Sequence, residues 1–278
     1  MNWTGLDHGI PLFNAPFWEW FVAVPVAYIV LVVFFRVLGL MPEETRDKSR
    51  TSDMMAFLIV SGSCCAYLGV LGTIGWFNIP VDNLISDTSS LTGDNFYGRS
   101  QFVVDHLVAP MLAYQGWNIV LCFFVKDLMD IKMIGHHLAT FSLGYFGLYP
   151  YLHYYGLFFF GFAEVTNIPL TLVDAFRYSP VLKEKFSWLN DLSRGIFGAA
   201  FIVIRLVMWP YYSYLFWVGS VDLLQSGKAH SNFVVSFFLL ANIFLTGLQF
   251  LWGSTIISFI IPKGKKDTSK ENTGKKDN

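Results

Sequence analysis

Charge is what this chain has least of. Only 14% of its 278 residues are Asp, Glu, Lys or Arg, against about 25% in a soluble domain, and mean hydropathy is +0.48. That excludes an ordinary soluble domain. A net charge of −1 excludes the basic surface a nucleic-acid partner needs, so no nucleic acid is expected. There are three cysteines, Cys64, Cys65 and Cys122, all inside apolar stretches. They read as small core residues and give neither a disulfide framework nor a metal site. No Lys or Arg precedes Arg36, so the basic start of a secretory signal peptide is missing, and the first apolar segment is expected to stay as a signal anchor. The ten-residue alternation of a membrane β-barrel is also missing, and there is no internal repeat.

Long apolar runs are present instead, in a chain that is 54% hydrophobic and 18% aromatic. A membrane-spanning helix needs about 20 mostly apolar residues. Seven segments qualify: 17–40, 54–75, 101–125, 130–150, 153–173, 194–218 and 232–261. The expected fold class is all-α, a polytopic membrane protein with seven transmembrane helices. Pro150 is expected to break the fourth segment from the fifth in a tight hairpin, and Pro110, Pro169 and Pro210 to kink their helices. Gly195, Gly198 and Ala199 fit close helix packing.

Basic residues sort by side. Sixteen of the nineteen Lys and Arg fall in 36–50, 126–132, 177–194 and 263–276, all on one side of a seven-helix scheme. Arg99 and Lys228 fall on the other side, and Arg205 lies inside a helix. The positive-inside rule then places the N-terminus in the lumen and the C-terminus in the cytosol. Residues 1–47 are expected to hold a lumenal N-terminus and the first helix, 48–261 the main transmembrane domain, and 262–278 a disordered cytosolic tail. The 76–100 connection is expected to be a polar lumenal loop, and Asn2-Trp3-Thr4 is a glycosylation sequon. The chain ends Lys275-Lys276-Asp277-Asn278. Lys275 and Lys276 look like a dilysine retrieval signal, which implies the endoplasmic reticulum membrane and coat proteins as partners.

Ionisable groups inside lipid are expensive and mark functional sites. Asp130, His136, His137 and Thr140 lie near the start of the fourth segment, the histidines about 9–11 Å in at 1.5 Å per residue. Imidazole can serve as base, nucleophile or metal ligand. Adjacent histidines point apart on a helix, so no metal and no cofactor is expected. The bland alternative is histidines bonded to headgroups or neighbouring helices. Glu164 and Arg205 stand at matched depth on consecutive antiparallel helices near the bilayer centre. They read either as a structural ion pair or as the polar floor of a lipid cavity, with Asn167 and Pro169 opening space below.

Lys126-Asp127 followed by Met133-x-x-His136-His137-x-x-Thr140 resembles the TLC group, named for TRAM proteins, Lag1-type ceramide synthases and CLN8. The resemblance covers roughly 48–261 and implies a TLC-type helical bundle. In ceramide synthases the matching histidine pair is needed for acyl transfer to a sphingoid amine. Two synthase aspartates, four and seven residues before a glutamate, correspond here to Phe160 and Leu157 if Glu164 is that glutamate. Glu164-Val165-Thr166-Asn167-Ile168-Pro169 resembles instead the non-synthase members, associated with membrane lipid composition. The expectation is a membrane protein that binds, senses or handles membrane lipids. A histidine-dependent acyltransferase is the second reading and a cargo receptor or assembly factor the third.

Overall fold

The computed structural model describes residues 15–39, 48–78, 101–148, 153–227, 229 and 231–260. Every element among them is helical. We number them α1 (Ala15–Leu38), α2 (Lys48–Asn78), α3 (101–124), α4 (Ile131–Gly147), α5 (His153–Tyr178), α6 (Pro180–Lys185), α7 (Ser187–Gln225) and α8 (Asn232–Ile260). Six of these, all but α4 and α6, are long and apolar enough to cross a membrane. α4, at 17 residues, falls short of that group, so the described residues give six such helices where the sequence predicts seven. The Pro150 hairpin, the 76–100 loop, the Asn2 sequon, the tail and the Lys275-Lys276 signal lie outside the described residues.

The boundaries of α7 and α5 are among those that differ from expectation. α7 starts at Ser187, not near 194, and runs for 39 residues to Gln225. Its first turns carry Asn190, Asp191, Ser193 and Arg194, whose polarity reads as a loop. Yet Asn190 and Ser193 are buried against the bundle. α5 continues to Tyr178. It stops before Ser179-Pro180 because the residue preceding a proline is pushed out of helical conformation, and Ser179 then caps α6 by accepting from Leu182 N–H at 3.4 Å.

One end of the bundle is charged. Arg36 at the end of α1 pairs with Asp53 at the start of α2, at 2.7 Å. Met54 of α2 and Leu121 and Val125 at the end of α3 share a small core with Tyr178 at the end of α5. Lys126, Lys132, Arg177, Lys183 and Lys185 therefore border the same end.

Lipid tails are as apolar as Leu, so these helices are held by van der Waals fit and internal hydrogen bonds, not by hydrophobicity alone. The tightest fit joins α2 to α5. Gly62 faces Thr171, Gly69 faces Val165, Gly72 faces Gly161 and Gly75 faces Leu157, an antiparallel register four contacts long. At Gly72 and Gly161 the two backbones touch, and a Cβ added to either would land on the backbone of the other helix. The expected small-residue seam at Gly195, Gly198 and Ala199 is absent. Gly195 has open space around it and Ala199 is exposed, leaving only Gly198 buried. Small size permits close approach but does not say which helix face has a neighbour.

Pro110, Pro169 and Pro210 each follow a stretch of irregular helix. Val104–Val108 and Phe201–Met208 are π-helical and Phe162–Thr166 is 3-10. A proline has no N–H for the carbonyl four residues back, here His106, Val165 and Leu206, and each of those carbonyls falls inside the irregular stretch. The ladder shifts its spacing there.

Candidate functional site

Glu164 sits on the 3-10 turn of α5 and Arg205 on the π-helical stretch of α7. The depth match read from the sequence becomes a contact: Arg205 Nη2 lies 3.3 Å from Glu164 Oε1, with both residues buried. Irregular backbone supplies more partners. In the 3-10 turn the Asn167 N–H bonds Glu164 O instead of the α-helical acceptor Ala163 O. Arg205 Nη2 takes that carbonyl at 2.8 Å, and Arg205 Nε donates to Thr166 Oγ1 at 3.1 Å. The guanidinium also lies over the Trp209 ring, 5.4 Å from its centroid. On the other side of the carboxylate, Glu164 Oε2 accepts from Asn167 Nδ2 at 2.7 Å and faces Cys65 Sγ at 3.6 Å. A buried charge is tolerated when it is paired and its remaining lone pairs are met, and this one meets both conditions.

The pair forms one wall of a cavity between α3, α4, α5, α7 and α8. His136, Thr140, Phe159 and Phe160 line it with Glu164 and Arg205, and Gln115, Trp209, Phe238 and Asn242 complete much of the rest. Its volume is about 30 Å³, room for roughly two waters. Phe160 puts a phenyl ring on this wall. Leu157 packs toward Gly75.

The histidines lie deeper than the sequence implies. His137 is buried, and its Nδ1 meets Gln115 Oε1 at 2.5 Å. Gln115 Nε2 points at Met111 Sδ, 3.3 Å away. A thioether can only accept, which fixes the amide with its nitrogen toward Met111 and its oxygen toward the imidazole. The Nδ1 of His137 therefore carries the proton, and Nε2 carries the lone pair. His136 is half-buried. Its Nδ1 is buried with no hydrogen-bond partner, and its ring meets His137 and Trp252 edge to face, with centroids 5.4 and 5.7 Å away.

Of the residues singled out in the sequence, His136, Thr140, Glu164 and Arg205 line one cavity. His137 stands behind its wall, and Asn167 holds the carboxylate from beneath. Asp130 is elsewhere. It is exposed and caps α4, accepting from Lys132 N–H at 2.7 Å, because a short acidic side chain at a helix start satisfies an otherwise unpaired donor. Thr140 spends its hydroxyl on His136 O at 2.9 Å. Gln115 and Asn242 were missed. Their signal was present as isolated amides in apolar helices, which are costly in lipid unless bonded or in use. Among the described residues no three His, Cys, Asp or Glu gather to hold a metal ion.

Helices built for lipid, closed around a buried ion pair and two histidines, define a polytopic helical membrane protein with an internal polar site. The family model of the TLC domain matches residues 54–258, and the chain belongs to that family. Family and architecture together mark a membrane lipid-related protein. No curated protein and no solved structure matches the chain.

Proposed function

We propose that the protein binds or senses a membrane lipid in the endoplasmic reticulum, through the cavity between α3, α4, α5, α7 and α8. One observation carries this reading: a buried Glu164–Arg205 pair and the His136 ring share a single small cavity inside helices that face lipid. A polar space at that depth is costly to maintain unless it receives a polar group. Its size fits the polar end of a lipid whose chain stays in the bilayer.

The two histidines are expected to separate on mutation. His137→Ala orphans the Gln115 carbonyl and should cost about 1–3 kcal/mol. His136→Ala removes a ring whose Nδ1 has no bond to lose, and should leave thermal stability nearly unchanged while lowering the lipid that co-purifies with the full-length protein. Mass spectrometry of extracted lipid and a thermal melt check both. Unchanged lipid content in folded His136→Ala protein would remove the histidine from the site.

A second reading is acyl transfer, favoured by the His137 Nε2 lone pair that the Gln115 bond fixes in place. Phe160 and Leu157 in the aspartate positions weigh against ceramide synthesis in particular. Radiolabelled acyl-CoA leaving a label on histidine would support this reading.

The proposal includes seven spans, with α4 as the short seventh, about 26 Å long at 1.5 Å per residue, a lumenal N-terminus and a cytosolic C-terminus. Six spans would bring both termini to one side, against the sorting of the basic residues. Tags at each end should respond oppositely to selective permeabilisation of the plasma membrane. Two tags on one side would rule out an odd number of spans.

A further inference from the structure

Asn242 reaches the cavity from α8, a long apolar helix, and nothing in the ion pair or the histidines uses it. Its orientation is fixed by the Trp217 indole. Trp217 Nε1 donates to Asn242 Oδ1 at 2.8 Å. Trp209 Nε1 donates to Thr246 Oγ1 at 3.0 Å, and Thr246 Oγ1 stands 3.5 Å from the same Asn242 oxygen. An indole N–H can only donate. Thr246 therefore accepts from Trp209, and its own hydroxyl has two neighbours, Ser213 Oγ at 3.4 Å and Asn242 Oδ1 at 3.5 Å. The Trp217 donor ends on Oδ1, so the amide cannot turn over without setting N–H against N–H. What remains for the cavity is the NH₂ of a buried residue, facing a wall that includes Phe238 and Leu245.

We infer that the Asn242 amide nitrogen is a docking point for the carbonyl oxygen of an acyl chain, esterified or free. An NH₂ whose amide oxygen is already engaged asks for an acceptor, and Phe238 and Leu245 on the same helix supply none. The space holds about two water-sized groups, enough for a carbonyl but not for a chain. The residues next in sequence, Ile243 and Phe244, are exposed on the outer surface of α8, so a chain in the bilayer has its head one residue away from Asn242. This inference rests on the lipid reading of the cavity and specifies which atom of the lipid is recognised.

The test uses the purified full-length protein in detergent with hexadecane, methyl hexadecanoate and hexadecanoic acid as probes. Wild type should bind the ester and the acid more tightly than the alkane by about tenfold, the worth of one hydrogen bond to a buried group. Asn242→Asp keeps the acceptor that Trp217 needs but loses the donors, so the preference for the ester should vanish. A preference that survives in this variant overturns the inference and leaves the lipid reading standing. If none of the three probes binds wild type, both fall. The acid binding more tightly than the ester would point to free fatty acid, and equal binding to an esterified chain. Both results require the Asn242 contact. Should Asn242→Asp not fold, the infrared carbonyl band of ¹³C-labelled ester on wild type decides. A shift to lower frequency supports the inference, and a band at the position of unbonded ester overturns it.

Discussion

Arg205→Met should lower stability by about 3–5 kcal/mol, the usual cost of stripping one partner from a buried pair. The partners make the result asymmetric. Arg205 serves three acceptors, Glu164, Ala163 O and Thr166. Its removal takes the countercharge from a buried carboxylate and one of two donors from the Ala163 carbonyl, which keeps Thr166. Glu164→Gln removes less, because the amide oxygen still accepts from Asn167 and Arg205 keeps two of its acceptors. Glu164→Gln should therefore cost clearly less than Arg205→Met. The double variant should recover part of the Arg205→Met loss, since no carboxylate remains to be orphaned. Denaturation of the purified protein followed by tryptophan fluorescence would read all three. Single losses that simply add would mean that Glu164 and Arg205 do not interact.

Gly161→Ala and Gly72→Ala should each destabilise the protein by about 3 kcal/mol or more, at the upper end of overpacking costs. The added methyl meets main chain on the facing helix, and main chain cannot rotate out of the way as a side chain can. Gly195→Ala makes the contrast. It has open space in a helix interior, where alanine is favoured over glycine by up to about 1 kcal/mol, so it should be neutral or stabilising. The same fluorescence assay orders the three variants. Gly72→Ala behaving like Gly195→Ala would mean that α2 and α5 do not meet where described.

These two results trace what the sequence could and could not show. Glu164 and Arg205 were legible because a charge in an apolar run is rare, and counting residues from the charged ends of two adjacent helices gives their depth. Six of the seven apolar runs were legible for the same reason of contrast, although polar turns at the start of α7 hid two turns of helix. Which glycines pack was not legible. Gly72 and Gly195 look alike in one dimension, and only the facing helix distinguishes them. Gln115 and Asn242 were hidden differently. Their meaning lies in their partners, Met111 with His137 for one and Trp217 for the other. Asp130 misled, because an acidic residue near two histidines and an acidic helix cap have the same spelling.

The α2–α5 seam also decides how the molecule can open. Where two backbones rest on each other, neither sliding nor parting is possible without breaking the register at all four of its contacts, so this pair is the fixed jaw. Across the cavity, Gly135 and His136 of α4 are covered from α8 by the side chains of Phe244 and Trp252, and side chains change rotamer where backbones cannot. The α4–α8 side is then the one whose contacts can rearrange, and on the proposed lipid reading a lipid head would enter sideways from the bilayer next to His136.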